Sequence, residues 1–327
     1  MIRPTALLSF VLAAATAAAP TAVGHAPAEP VEVAVHPTSV DIGIGGRPFT
    51  TFFFDPSVAK PYFHPLRSAH GTIVTRGFPV ADDIRDEDRD EPHQRPMYFA
   101  HGDINGFDFW GEAAYPKWSD HSAATFGRTV LQSLDARGGD ESGVLQAVFD
   151  LVTPTGVLGR EIQSYRFSGD ADSRIIDCQF AIVTTDRPLV IGDTKEGTFA
   201  IRVVKALDSP PGHMVNADNA MGEKHIWGKQ SPWVDYYGRV GDEDVGIAVL
   251  DHPGNLRSPA YWHARAYGLL AANPFGISYF TRNRRNSGAY TIPLGGSLVL
   301  RYRVVIHHGD PVYAGIAAAY RRFAAEK

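Results

Sequence analysis

Apolar and polar residues alternate with a period of two along most of the chain between residues 31 and 306. Such alternation is typical of β-strands that bury one face. The clearest segment is 298–306, where apolar side chains share one face and Arg301 and Arg303 occupy the other. The pattern predicts a protein built mainly of strands.

Turn signals separate these segments. Thr153-Pro154-Thr155-Gly156 lies between alternating stretches and predicts a hairpin, and Gly45-Gly46 predicts a second turn. Strands are predicted at 31–35, 40–44, 145–152, 162–167, 175–183, 198–204, 233–237, 246–250, 276–281 and 298–306.

A helical pattern occurs at the C-terminus. Asp310 and Pro311 fit the N-cap and first helical positions, and residues 312–323 continue with helix-compatible spacing. Many short strands and one short C-terminal helix predict an all-β fold, organised as one β-sandwich domain over residues 25–327.

The N-terminus resembles a signal peptide. Arg3 precedes an apolar run at 6–19, and Ala22-Val23-Gly24 offers small residues for cleavage. The run is shorter than the roughly 20 residues of a membrane span, although an N-terminal anchor is the alternative. We expect residues 1–24 to be removed, and the remaining chain to be exported to the periplasm or beyond, without a membrane span.

Charge and cysteine content narrow the possible partners. The net charge of −5 argues against a nucleic-acid partner, which would favour a basic patch. Cys178 is the single cysteine, so it cannot form an internal disulfide, and its place in an alternating run predicts a core position.

Candidate chemistry falls in polar, aromatic loops at 85–118, 210–232 and 251–275. In the first loop, His93 is a candidate proton-transfer group, with His101 as a second. Arg95 could hold a carboxylate or hydroxyl group. In the alternative, His101 and Asp103 only stabilise the turn.

Two further clusters combine carboxylates with cations or tryptophan. Glu196 and Arg202 could act in catalysis or form a buried ion pair. Glu223, Trp227 and Lys229 would point to one side if their segment were extended, with Trp227 stacking on a sugar ring. A core tryptophan beside a surface salt bridge is the alternative.

The last cluster predicts one wall of a binding site. Its members are Asp251, His252, Trp262, His263 and Tyr267. In the alternative, Asp251-His252-Pro253 forms only a turn. A metal site built from His93, His101, His252 and His263 is also conceivable, but their spacing matches no known ligand motif, so neither metal nor cofactor is predicted.

Several strings, among them PYFHPLRSAHGTIVTRGFP, DEPHQRPMYFAHGDINGFDFWGE, GDTKEGTFAIRV and GEKHIWGKQSPWVDYYG, resemble the bacterial family labelled "methane oxygenase PmoA". The resemblance covers nearly all of the chain after residue 24. It implies a galactose-mutarotase-like supersandwich in exported proteins of carbohydrate degradation. We regard the label as a misnomer, because a methane oxygenase subunit spans the membrane.

The resemblance also implies a histidine paired with a carboxylate, here His93 with Glu196 or Glu223. Relatives tend to have D-H-P-H-H-R where this chain has Asp90-Glu91-Pro92-His93-Gln94-Arg95, so Glu91 and Gln94 replace histidines and weaken a metal site.

The leading hypothesis is a carbohydrate-active enzyme for a glycoside, uronide or oxidised sugar, with hydrolysis, elimination and epimerisation all open. Trp227 and Trp262 would stack on the ring, and Arg67, Arg95 and Lys229 would anchor polar groups. The alternatives are a non-catalytic sugar-binding protein and a metal-dependent oxidoreductase.

Overall fold

The computed structural model describes residues 27–81, 86–115 and 125–326. The predicted signal peptide and part of the loop at 85–118 lie outside these residues. The first nine strands are β1 (Val31–Val35), β2 (Ser39–Ile44), β3 (Arg47–Phe53), β4 (Tyr62–His64), β5 (Met97–His101), β6 (Arg128–Arg137), β7 (Gly143–Thr153), β8 (Gly156–Gly169) and β9 (Ser173–Thr184).

Nine further strands and three helices follow. They are β10 (Leu189–Ile191), β11 (Gly197–Arg202), β12 (His213–Asn216), α1 (Glu223–Ile226), β13 (Trp233–Val240), β14 (Glu243–Asp251), β15 (Tyr261–Ala264), β16 (Leu269–Asn273), α2 (Ile277–Phe280), β17 (Tyr290–Ile292), β18 (Ser297–His308) and α3 (Ile316–Ala324).

Two eight-stranded antiparallel sheets form the sandwich. The first has the order β1-β2-β3-β4-β5-β11-β16-β15, and the second β12-β13-β14-β18-β9-β8-β7-β6. The core lies between them: Phe99 of β5 stacks on Phe180 of β9 with ring centroids 4.1 Å apart. Cys178 is buried in this core, as predicted. The all-β fold class is confirmed.

The predicted turns occur where expected. Pro154 and Thr155 connect β7 to β8. Gly45 and Gly46, with φ of 62° and 71°, connect β2 to β3. Positive φ at both central residues is what a tight type I′ hairpin requires, and glycine adopts it without steric cost.

Two local predictions were wrong. Residues 276–281 were predicted as a strand but contain α2, because Asn273 Oδ1 accepts hydrogen bonds from the Phe275 and Gly276 amides at 2.8 and 3.1 Å and turns the chain. The C-terminal helix begins at Ile316 instead of Pro311. Asp310 instead caps a preceding turn, in which its Oδ1 accepts from the Val312 and Tyr313 amides.

The outer face of the first sheet carries a row of side chains across neighbouring strands. Tyr98 of β5 pairs with Ala200 of β11, Ala200 with Ala271 of β16, and Ala271 with His263 of β15. Paired positions of an antiparallel sheet share a face. No helix within the described ranges has the length and apolarity to cross a membrane.

Candidate functional site

On the outer face of the first sheet, small residues lie between Tyr98 and His263. With strands about 4.8 Å apart, three strand steps separate these two residues by about 14 Å. Ala200 and Ala271 occupy the intervening positions, and Tyr267 packs against the same buried cluster. Because these alanine side chains are small, they leave room above the sheet for loops and larger side chains from other parts of the chain.

Arg202 positions the loop that contains His93. Its guanidinium donates to Gln94 Oε1 at 2.7 Å and to Asp90 Oδ1 at 3.1 Å, and it lies over the Tyr267 ring at 4.4 Å. Arg202 is buried, so its predicted direct part in the chemistry is corrected to positioning of the loop. The alternative of a Glu196–Arg202 ion pair is also wrong, because both partners are engaged elsewhere.

Arg95 is likewise held within the protein. It donates to Glu112 Oε1 at 2.8 Å and to Oε2 at 2.5 Å, while Lys60 Nζ lies 3.0 Å from Glu112 Oε1. All three side chains are buried. Two cations share one carboxylate, so the predicted anchoring of substrate by Arg95 is corrected to a structural triad.

Glu91 is a site residue that the sequence did not suggest as functional. Its φ of 43° lies in the left-handed region, which a non-glycine residue adopts at a cost of about 1–3 kcal/mol. Burial raises the pKa of its carboxyl, and the charge of Glu196 raises it further. A carboxyl whose pKa is raised holds its proton to higher pH, which suits it to proton donation.

Glu196 interacts with several of the residues around the candidate site. Lys195 Nζ donates to Glu196 Oε1, and the Glu196 charge acts on both Glu91 and Tyr98. A Cβ atom on Gly102 would lie 2.9 Å from Glu196 Cβ, so glycine permits this close approach. We call Glu91 and Glu196 the carboxylate pair.

His93 lies beside Glu91, whereas the sequence analysis paired it with Glu196 or Glu223. Its Nε2 lies 3.6 Å from Glu91 Oε2. Burial, followed by the nearby charge of Lys60, lowers the His93 pKa to about 3. The ring is therefore neutral near pH 7, so it exchanges hydrogen bonds there and does not serve as a cationic acid.

A cleft of about 680 Å³ opens beside β15, within the size range of small-ligand sites. Glu223, Trp227 and Lys229 all line this cleft, although α1 and a turn replace the extended segment on which their predicted common direction depended. The cleft, called the aromatic cleft below, is lined by Glu223, Lys224, Trp227, Gly228, Lys229, Gln230, Tyr261, Phe280, Thr281 and Arg282.

His263 connects the aromatic cleft with the carboxylate pair. Its ring centroid lies 6.3 Å from those of both Trp227 and Phe280. On the other side its Nδ1 lies 3.0 Å from the Lys195 carbonyl oxygen, next to Glu196. Burial lowers the His263 pKa to about 3, so this ring is also neutral near pH 7.

Several buried polar atoms in this region have no hydrogen-bond partner among the described residues. They include Tyr98 Oη, Thr198 Oγ1, His93 Nδ1, Arg202 Nε, Trp227 Nε1 and His263 Nε2. Buried polar atoms left unpaired cost free energy, so a concentration of them at one place favours a polar ligand there.

Glu223 lines the cleft but is already bonded. Its Oε1 lies 3.0 Å from Arg265 Nε, and its Oε2 accepts from the Ala266 amide at 2.7 Å. These contacts hold the turn that carries Tyr267, whose hydroxyl lies 3.4 Å from Gln94 Nε2. The predicted catalytic role of Glu223 is therefore corrected to positioning, and Tyr267 lies against Arg202 and Gln94.

The sequence analysis wrongly assigned Trp262, His101 and Arg67 to the site. Trp262 is buried between the sheets and donates its indole N–H to the Ser231 carbonyl at 2.8 Å. His101 is buried with Nε2 2.8 Å from the Gly192 carbonyl oxygen, so its turn-stabilising alternative holds. Arg67 pairs with Ile73 in a separate turn.

Asp251 and His252 end β14 in the second sheet, away from the predicted wall. Asp251 accepts from Asn255, Ser258 and the Ala260 amide, which is the turn alternative. His252 Nε2 lies 3.0 Å from the Glu326 carbonyl oxygen. The four histidines of the conceivable metal site thus do not converge, and the described chain contains no group of three or more His, Cys, Asp or Glu residues arranged to hold a metal.

Comparisons with known proteins give a family and several similar folds. The model of a family of unknown function, DUF6807, matches residues 39–321, and its description lends no support to the oxygenase label. No curated protein matches the chain. A galactose mutarotase-like protein from Clostridium acetobutylicum is similar in structure, with 10% identity, a TM-score of 0.42, and coverage of 85% of this chain and 98% of that one.

Two larger solved proteins are also similar. The alpha-galactosidase from Lactobacillus brevis has 9% identity and a TM-score of 0.42, over 91% of this chain and 43% of that one. A Glycoside Hydrolase Family 97 enzyme in complex with panose, from Pseudoalteromonas sp. strain K8, has 11% identity and a TM-score of 0.42, over 80% and 34%. The chain spans less than half the length of either enzyme.

Proposed function

Because this chain belongs to the DUF6807 family, whose function is unknown, we propose a function from its own site: it binds a carbohydrate and acts on it by acid–base chemistry at the carboxylate pair. One observation carries the proposal. A carboxyl with a raised pKa, Glu91, interacts with a second carboxylate, Glu196, next to a cleft with an aromatic wall. In enzymes that act on sugars, two carboxylates in different environments commonly serve as the acid and the base.

Each neighbouring group has a role in this proposal. Glu91, in its protonated form, donates a proton to a sugar oxygen, and Glu196 accepts one from water or from the sugar. Trp227 stacks on the apolar face of a ring, and the neutral rings of His93 and His263 exchange hydrogen bonds with hydroxyl groups. In hydrolysis the donated proton goes to the leaving oxygen as the C–O bond breaks, and the accepted proton comes from the attacking water; in elimination and epimerisation the accepted proton comes from the sugar itself.

The test is an NMR screen of purified protein against neutral glycosides, uronides and 3-keto-sugars, read for both bond cleavage and anomer exchange. We expect turnover of at least one class, and its loss in E91Q and E196Q. The control is Glu326→Gln, which removes a carboxylate that follows α3 and pairs with Arg303 of the second sheet, and it should leave turnover unchanged. Turnover that survives in both site variants would refute the acid–base assignment.

A sugar-binding protein without turnover is the second candidate. The low pKa values of His93 and His263 favour it, since neither ring titrates near neutrality. In that case sugars bind, W227A weakens binding, and the NMR spectra show no chemical change.

We also propose that the chain is exported and that residues 25–327 form a single domain. Mass spectrometry of the protein from an expressing culture should detect a chain that begins at His25 outside the cytoplasm. A full-length chain retained in the cytoplasm would contradict this part.

A further inference from the structure

The aromatic cleft carries an unbalanced positive charge. Lys224, Lys229 and Arg282 line it, and within the described ranges none of the three makes an ion pair with a carboxylate. The carboxylate in the lining, Glu223, is already paired with Arg265 at 3.0 Å. The cleft wall is therefore cationic, although the whole chain has a net charge of −5.

The adjoining turn strengthens this charge. Arg284 and Arg285 follow Arg282 within three residues, and all three side chains are exposed. A cluster of like charges destabilises the folded chain by self-repulsion, whereas a bound anion relieves the repulsion. If these cations served only as solvated surface charges, they would not need to lie together around an aromatic cleft of ligand size.

We propose that the substrate is an anionic carbohydrate, one whose sugar units carry carboxylate or sulfate groups; this inference rests on the proposed function. Trp227 and Tyr261 provide apolar surfaces for the ring faces, and the buried Phe280 ring stacks behind Tyr261. Lys229 and Arg282 meet the acidic substituents, and the planar guanidinium of Arg282 can bind a carboxylate or sulfate through two parallel hydrogen bonds.

Calorimetric titration with three oligosaccharides tests the inference: a uronate oligomer, a sulfated galactan oligomer and a neutral galactan oligomer. We expect one of the two acidic oligomers to bind at least about tenfold more tightly than the neutral one, with affinity that falls as salt rises. The stronger acidic ligand tells whether carboxylate or sulfate is the group recognised.

The variant K229Q/R282Q should weaken binding of the acidic oligomer about tenfold or more and leave the neutral one unaffected. Its charge-matched control is R321Q/R322Q on the exposed side of α3, which should change neither. Equal affinity for neutral and acidic oligomers, unaffected by K229Q/R282Q, would overturn the inference and leave the proposed function standing. If no oligosaccharide binds, the proposed function fails, and the inference with it.

Discussion

The imidazole Nε2 of His93 lies 3.6 Å from Glu91 Oε2, within one short loop that Arg202 and Arg76 hold against the sheet. This separation exceeds a normal hydrogen bond. Because burial lowers the His93 pKa and raises the Glu91 pKa, both groups favour their neutral forms. A neutral imidazole and a protonated carboxyl can share a sugar hydroxyl or ring oxygen without electrostatic repulsion.

The first prediction concerns the pH dependence of activity. Glu91 must be protonated to donate, and its pKa lies above the ordinary value of 4.5. Activity should therefore fall as pH rises through this raised pKa, because Glu91 then loses the proton that it donates. Profiles of kcat/KM against pH should lose this decline, or all activity, in E91Q, while E326Q keeps the wild-type profile. An active E91Q with the same decline would mean that another group titrates.

The second prediction concerns the buried triad. Removal of Glu112 in E112A leaves Lys60 and Arg95 buried without their carboxylate, and should lower the free energy of unfolding by about 3–5 kcal/mol. Urea denaturation measures it. The control E326A removes an exposed partner of Arg303 and should change stability by about 1 kcal/mol or less. A loss in E112A no larger than in the control would contradict the structural role of the triad.

Much of the fold could be predicted because burial of one sheet face imposes a period of two. The β18 segment shows this directly: Tyr302 is fully buried and the neighbouring Arg303 points to the other face. Helix bounds were predicted less well, since the Asp310 turn and the Asn273 turn satisfy backbone groups in ways that periodicity does not reveal.

Some residues of the candidate site could be named from the sequence. The sequence clusters included His93, Glu196 and Trp227, which the structure places in or beside the candidate site. Glu91 was missed because its candidate role depends on the charge of Glu196, which is more than a hundred residues away along the chain. A single sequence does not specify which loops of the fold lie close together.

Trp262 shows an error that the alternation rule could have prevented. Trp262 and His263 are adjacent in β15, and successive strand residues point to opposite faces, so both could not line one wall. The structure puts Trp262 in the core and His263 at the site.

The third prediction separates these two tryptophan environments. W262A should lower the free energy of unfolding by about 3–5 kcal/mol, because it opens a cavity in the core and leaves the Ser231 carbonyl without its donor. W227A, at the cleft, should lower it by much less and instead weaken sugar binding. Thermal unfolding and calorimetric titration of both variants check this. If W262A abolished binding without loss of stability, its core assignment would be wrong.

The fourth prediction concerns a buried carboxyl that the proposed function does not use. Glu161 lies on the core face of β8, where Gln163 Nε2 donates to its Oε1 at 2.6 Å and Tyr165 donates to Gln163 Oε1 at 2.7 Å. Burial raises the pKa of Glu161 to about 8 from 4.5. The folded state therefore favours the protonated form. Its stabilising contribution is complete below pH 4.5 and is lost progressively as pH rises to about 8.

Urea denaturation across this pH range should thus show a free energy of unfolding that falls by a few kcal/mol toward alkaline pH, once the contributions of other groups are subtracted by comparison with E161Q. The amide of E161Q accepts the same hydrogen bond from Gln163 but does not titrate, so the difference between the two proteins isolates Glu161. If the free energy of unfolding falls equally with pH in both proteins, Glu161 is not protonated in the folded state. The buried polar chain Glu161–Gln163–Tyr165 must then be hydrated.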